Sequence, residues 1–98
     1  MSARLRLANR YACTTVTLTH AGLPFSCTYA KDEHGEVRDV RLRNHRGGSD
    51  ADHLARDLGI CASLCLQHNC SVETLRQAVN PRGLLAAALT AIEQEGAA

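Results

Sequence analysis

The chain has 98 residues, of which 45% are hydrophobic and 3% aromatic, and its formal net charge is +1. This length predicts one domain with a single core. The near-neutral charge makes nucleic acid an unfavoured partner, because proteins that mainly coat nucleic acid are usually strongly basic. No apolar run approaches the ~20 residues that span a bilayer, so we expect no membrane partner. The N-terminal residues contain no apolar signal core, which favours a cytoplasmic location.

The first half of the chain carries three segments that alternate apolar and polar residues, as half-buried strands do. They cover residues 14–20, 25–29 and 36–43, with turns at 21–24 and 32–35. This pattern predicts a three-stranded antiparallel sheet over 14–44 with one wet face. The inward positions are Val16, Leu18, Phe25, Cys27, Tyr29, Val40 and Leu42. In residues 1–12, Arg and Leu alternate, which predicts either a fourth, edge strand or a basic arm.

The second half, residues 49–95, is predicted to be helical. Ser49 is expected to cap the first helix, with Asp52 three residues on as in a capping box. Asn69 stands where a left-handed residue would end this helix, and Ser71 is expected to cap a second one. Pro81 is expected to open a third helix and Gly96 to end it. The fold prediction is therefore α+β, with two to three helices packed on one face of the sheet.

The first helix is predicted to bury a stripe of Leu54, Leu58, Cys61 and Cys65, which recur at helical spacing. Because residues 60–66 are apolar nearly all round, this part is expected to be central, with the cysteines as core residues. In the third helix, an apolar face either packs on the domain or pairs with a second copy in a homodimer. That face consists mainly of Leu85, Leu89 and Ile92.

The sequence resembles the TSCPD domain in several stretches. These are Asp32–Gly35 before a strand, Gly48-Ser49-Asp50, then Ile60-x-x-Ser63-Leu64-x-Leu66-Gln67-His68, Leu75, and Gly83–Leu89. That domain is known from the C-terminal part of cobalamin-dependent (class II) ribonucleotide reductases and from short stand-alone proteins of bacteria and their mobile elements. The stand-alone type is the better match, over about residues 14–92.

This resemblance implies a small α+β module, and in its mobile-element form an inhibitor or regulator of a host protein. It does not imply reductase activity, because the chain carries no cysteine pair after Cys70 and no visible radical or cobalamin site. The sequence also departs from the family pattern at Cys61, Cys65 and Cys70, where small or apolar residues are usual. No catalytic constellation is evident, so we expect no enzyme and no cofactor.

Three candidate sites remain. The outward row Arg41, Arg43 and Arg46 could bind another macromolecule, most simply a protein, together with the corner at Gly48, Ser49 and Asp50. Alternatively, the chain could be an accessory module of ribonucleotide metabolism, in which the same glycine-rich helix start binds a nucleotide phosphate through backbone N–H groups and the helix dipole. A thiol or zinc site at Cys61, Cys65 and Cys70 is a further alternative, although the spacing differs from that of structural zinc knuckles. The preferred function is a non-enzymatic interaction module.

Overall fold

A computed structural model describes residues 12–97 of the chain. Its elements, in chain order, are β1 (Cys13–His20), β2 (Leu23–Lys31), β3 (Val37–Asn44), α1 (Asp50–Gln67), α2 (Val72–Ala78) and α3 (Leu84–Ala97). The domain is α+β, as predicted. The predicted arm or fourth strand falls on residues 1–12 and so lies almost wholly outside the described residues.

The three strands form an antiparallel meander in the order β1-β2-β3. Ala21 and Gly22 form a two-residue turn between β1 and β2, with φ of 51° and 76°. Such paired positive φ values are those of hairpin turns whose twist matches the strands. The turn is shorter than the predicted 21–24, because Leu23 and Pro24 already pair with β1.

The inner face of the sheet is buried as the alternation predicted. Phe25, Cys27, Tyr29, Val40 and Leu42 are all 5% exposed or less. They form one core with buried residues of all three helices. The members from the helices are Ala55, Ala62, Leu66, Leu75, Leu85, Ala88, Leu89 and Ile92. The outer face carries threonines, and the Thr15 and Thr28 hydroxyls are 2.8 Å apart across β1 and β2.

The helix ends follow local signals in two of the three helices. Ser49 and Ser71 are the N-caps of α1 and α2, and each hydroxyl accepts a bond from a backbone N–H. Asn69 has a φ of 69°, and the Cys70 N–H donates back to the Cys65 carbonyl, which ends α1 as predicted. These three caps are confirmed.

The third helix differs from its prediction at both ends. Asn80 to Gly83 form a turn in which the Asn80 side chain accepts from the Arg82 N–H and its carbonyl accepts from the Gly83 N–H. The helix therefore begins at Leu84, three residues after Pro81, and it continues through Gly96. Asn80 competes with the helix through its side chain, which explains the late start.

The predicted homodimer face is not available to a second copy. Leu85, Leu89 and Ile92 are 7%, 0% and 3% exposed because they pack on the chain's own core. The alternative reading of this face, packing on the domain, is correct. Between residues 12 and 97, no helix is both long and apolar enough to cross a membrane.

Candidate functional site

Helix α1 lies along the free edge of β3, and this placement organises the candidate site. In β3 the backbone groups of Val40 and Asn44 point away from β2. The Val40 N–H donates to the Ser63 hydroxyl at 2.9 Å, and this hydroxyl also lies 2.9 Å from the Val40 carbonyl. The Gln67 amide donates to the Arg38 carbonyl at 3.1 Å. Side chains of α1 thus occupy positions that a fourth strand would otherwise fill.

The close approach of α1 to the strand depends on Gly59. A methyl group at Gly59 would lie 3.0 Å from the Leu42 nitrogen and 3.1 Å from the Val40 carbonyl oxygen. Both are backbone atoms of β3, so neither can rotate away. The side of α1 formed by Asp52, Gly59, Ser63 and Gln67, here called the edge-facing side, is therefore polar or small although it is buried.

Asp52 is fully buried at the start of this side and holds the sheet-to-helix crossing. One carboxylate oxygen accepts from the Asn44 N–H at 3.0 Å and from Arg43 Nε at 3.0 Å. The other accepts from the Gly48 N–H at 3.1 Å. The side-chain bond from Arg43, aided by the Gly48 and Asn44 N–H groups, holds the pKa of the Asp52 carboxyl far below its usual range, although burial opposes this.

A second ionic link lies at the other end of α1. Arg38 donates to the Leu66 carbonyl at 2.7 Å and to Asp32 at 3.0 Å, and both charged side chains are largely buried. The Leu66 carbonyl belongs to the last turn of the helix, where a cation is favourable. Arg38 therefore joins the β2–β3 hairpin to the C-terminal end of α1.

Several apolar side chains of α1 are exposed, which corrects the predicted stripe. Leu54 is 67%, Ile60 60% and Leu64 40% exposed. Cys61 and Cys65 are exposed too, so the expectation that they are core residues is wrong. These five residues are called the outward side of α1. The helix is turned so that its small and polar side chains meet the edge of β3.

An open groove of about 560 Å³ runs between β3 and α1. We call it the β3–α1 groove. Ile60 and Leu64 line it from the helix, and Arg56 stands beside them. Asp39, Arg41 and Arg43 line it from the strand. The groove thus has apolar helix residues with arginines on both sides.

The predicted arginine row is divided by the structure. Arg41 and Arg43 lie in the β3–α1 groove, whereas Arg46 lies at the start of α1. Arg41 is 74% exposed and pairs with Asp39 at 3.3 Å. Arg43 is 54% exposed but is bound to Asp52. Only Arg41 and Arg46 therefore present guanidinium groups that are not already committed to a buried carboxylate.

The predicted corner at Gly48, Ser49 and Asp50 has its donors largely engaged. The Gly48 N–H donates to Asp52, and the Ser49 hydroxyl donates to the Arg46 carbonyl at 2.6 Å while accepting from the Asp52 N–H. Ser49, Asp50 and Arg46 line a second concavity of about 710 Å³. Because the Gly48 and Asp52 N–H groups are already bonded within the chain, fewer backbone donors are left for a phosphate at the helix start.

The cysteines do not converge. Cys61 and Cys65 lie on the outward side of α1, and Cys70 is half-buried with its thiol 3.5 Å from the Ser71 carbonyl. Burial raises the pKa of the Cys27 thiol to about 12, so this thiol stays protonated at neutral pH. In the part of the chain that the structure describes, no group of three or more Cys, His, Asp or Glu is placed to hold a metal ion.

Sequence reasoning missed three groove residues: Arg56, Ile60 and Leu64. Two signals could have found them. A glycine inside an apolar helix, here Gly59, indicates a close backbone approach on its own side of the helix. Ser63 lies on this same side, one turn later. Together they indicate that the polar and small side is buried and that Ile60 and Leu64 face outward.

Comparison with known protein families, curated proteins and solved structures finds no match for this chain. The resemblance to the TSCPD domain therefore stays a prediction.

Proposed function

We propose that this chain is a non-enzymatic interaction module that binds another protein through the β3–α1 groove. One observation carries the proposal: Ile60 and Leu64 are exposed on a helix whose opposite side is buried. Single exposed apolar residues are ordinary on protein surfaces, but a contiguous apolar patch bordered by polar groups is typical of interaction sites. An inhibitor or regulator that acts by capturing its target is the specific form of this function that the TSCPD resemblance suggests.

The arginines of the groove support a protein partner. Arginine is enriched at protein interfaces, where its planar guanidinium makes paired bonds with carboxylates. Arg41 on the strand and Arg56 on the helix are both exposed and both line the groove. Arg46, with Ser49 and Asp50, lies outside this groove and would contact the same partner only if the interface extended beyond it.

The test is affinity capture from the native cell followed by mass spectrometry, using three forms of the chain. The wild type is compared with Ile60→Lys/Leu64→Lys and with Leu54→Lys. Leu54 is on the same helix and is 67% exposed, against 60% for Ile60 and 40% for Leu64, so it is a control for a lysine added outside the groove. We expect the wild type and Leu54→Lys to capture the same protein, and the double variant to lose it.

Equal capture by all three forms would place the binding surface elsewhere on the molecule. An Arg46→Ala variant then tests the corner at the start of α1 separately. A circular dichroism spectrum and an unfolding curve for each variant show whether the fold is retained. We expect all of them to fold, because every altered side chain is exposed.

A further inference from the structure

We infer that the occupant of the β3–α1 groove is an amphipathic helix of another protein, with acidic residues beside its apolar face. This inference rests on the function proposed above and adds the kind of partner. It follows from three features of the groove: the state of the β3 edge, the spacing of the apolar residues and the sign of the exposed charge.

The edge of β3 excludes an extended partner. Many interaction modules bind a peptide as an added strand, through unpaired backbone groups of an edge strand. Here the outward N–H and C=O groups of Val40 are bonded to Ser63, and the Asn44 N–H is bonded to Asp52. Gly59 also brings the helix against the strand backbone between these points. A partner must therefore bind through side chains.

The apolar residues have the spacing of one helical turn. Ile60 and Leu64 are four residues apart, so their side chains lie about 6 Å from each other along one side of α1. A second helix laid along this side places its own apolar residues, at i, i+3 or i+4 and i+7, between them. Because α1 is one wall of the groove and β3 the other, the partner helix is guided along α1.

The exposed charge of the groove is positive. Arg41 stands on the strand side and Arg56 on the helix side, whereas the guanidinium of Arg43, which also lines the groove, is bound to Asp52. The single acidic residue among the groove's described lining is Asp39, which is only 21% exposed and pairs with Arg41. Acidic residues that flank the apolar face of the partner helix would therefore meet guanidinium groups on both sides.

The experiment is a selection from a display library of random helix-forming peptides on the immobilised full chain. We expect the enriched peptides to carry apolar residues at helical spacing and more Asp and Glu than the starting library. We expect their affinity to fall by about tenfold or more on the Arg41→Glu/Arg56→Glu variant. A parallel selection on that variant should enrich Lys and Arg in place of the acids.

The outcomes separate the inference from the function on which it rests. Enriched peptides that lose binding to Ile60→Lys/Leu64→Lys but carry no excess of acidic residues overturn the inference of an acidic partner helix. They still support the groove as the binding site. Peptides that bind this double variant as well as the wild type overturn both the inference and the proposed function.

Two further measurements test other occupants of the groove. A concentration-dependent dimer in light scattering, abolished by the double variant, makes a second copy the occupant. Arginine-dependent binding of single-stranded RNA in fluorescence anisotropy, without peptide enrichment, makes nucleic acid the occupant. Either result overturns the inference.

Discussion

Two sides of α1 depart from the usual character of a surface helix, whereas a third buries Ala55, Ala62 and Leu66 in the core. Its edge-facing side is buried but polar or small, with Asp52, Ser63 and Gln67 bonded to the backbone of β3 or the following turn. Its outward side is exposed but apolar, with Leu54, Ile60 and Leu64 in solvent. The difference shows that an edge strand can determine which side of a helix is buried. Buried backbone groups require hydrogen-bonding partners, and here polar side chains of α1 supply them.

The largest loss of stability is expected from Asp52→Ala. This change leaves the buried N–H of Asn44, the N–H of Gly48 and the Arg43 guanidinium without their carboxylate. Loss of a buried network of this kind is among the most destabilising substitutions. We expect the midpoint of thermal unfolding to fall by on the order of 10 °C. The control is Asp50→Ala, an exposed acid in the same turn, and an equal loss there would contradict the special role of Asp52.

The acid sensitivity of stability should depend on Asp52 as well. Its pKa is lower in the folded chain than the ordinary value of 3.8. The folded state therefore binds fewer protons below about pH 4, and the stabilisation is present above this pH and is lost as the pH falls. Urea unfolding between pH 5 and about 2 should show a steeper loss for the wild type than for Asp52→Ala. Parallel curves would contradict the assignment.

A smaller effect is expected from Ser63→Ala. The substitution removes the hydroxyl that is bonded to the Val40 N–H and lies near its carbonyl, and both groups stay buried under the helix. An unsatisfied buried backbone group costs about 1–3 kcal/mol, so we expect a loss of about 2 kcal/mol in the free energy of unfolding. Cys61→Ala on the outward side serves as the control and should be nearly neutral.

Gly59→Ala tests the close approach of helix and strand. In an exposed helix interior this change would stabilise by up to about 1 kcal/mol, because alanine has the higher helix propensity. Here the added methyl group meets the β3 backbone at 3.0 Å. Forced displacement of packed elements costs about 1–3 kcal/mol, so we expect a net loss of about 1 kcal/mol in urea unfolding. A gain in stability would show that α1 can move away from β3 freely.

The smallest effects are expected on the outward side. Leu54→Ser and Ile60→Ser remove apolar side chains that are already 67% and 60% exposed. Surface substitutions of this kind usually change the free energy of unfolding by less than about 0.5 kcal/mol. The two variants should therefore unfold like the wild type, and Ile60→Ser alone should weaken partner binding. A large loss of stability on either would mean that the outward side is part of the fold.

The sequence predicts the local features of this protein well. Alternation identifies the strands, and single residues such as Ser49 and Asn69 mark helix ends, because these signals depend on neighbours in the chain. The buried side of α1 could not be found in this way. Apolar periodicity assigns Cys61 and Cys65 to the core, whereas the burial of Ser63 depends on backbone groups of a strand far away in sequence.

Dependence on residues far away in sequence also explains why only part of the predicted arginine site is correct. Alternation along β3 identifies Arg41 and Arg43 as outward residues, and the structure confirms this position. The alternation does not reveal that Arg43 is bound to Asp52. This pair forms only because the loop at 45–49 places the start of α1 next to the end of β3. The sequence does not identify Arg56 as a groove residue, since its place in the groove depends on the rotation of α1 about its axis.

The two ionic links of α1 bear on the energetics of recognition. Arg43 and Asp52 fix its first turn to the end of β3, and Arg38 fixes its last turn near the start of the same strand. The helix is thus anchored at both ends, and the width of the β3–α1 groove is set before any partner arrives. A ligand would find a preorganised receptor, so this chain loses little conformational entropy on association. Affinity would then be limited mainly by the ordering of the partner.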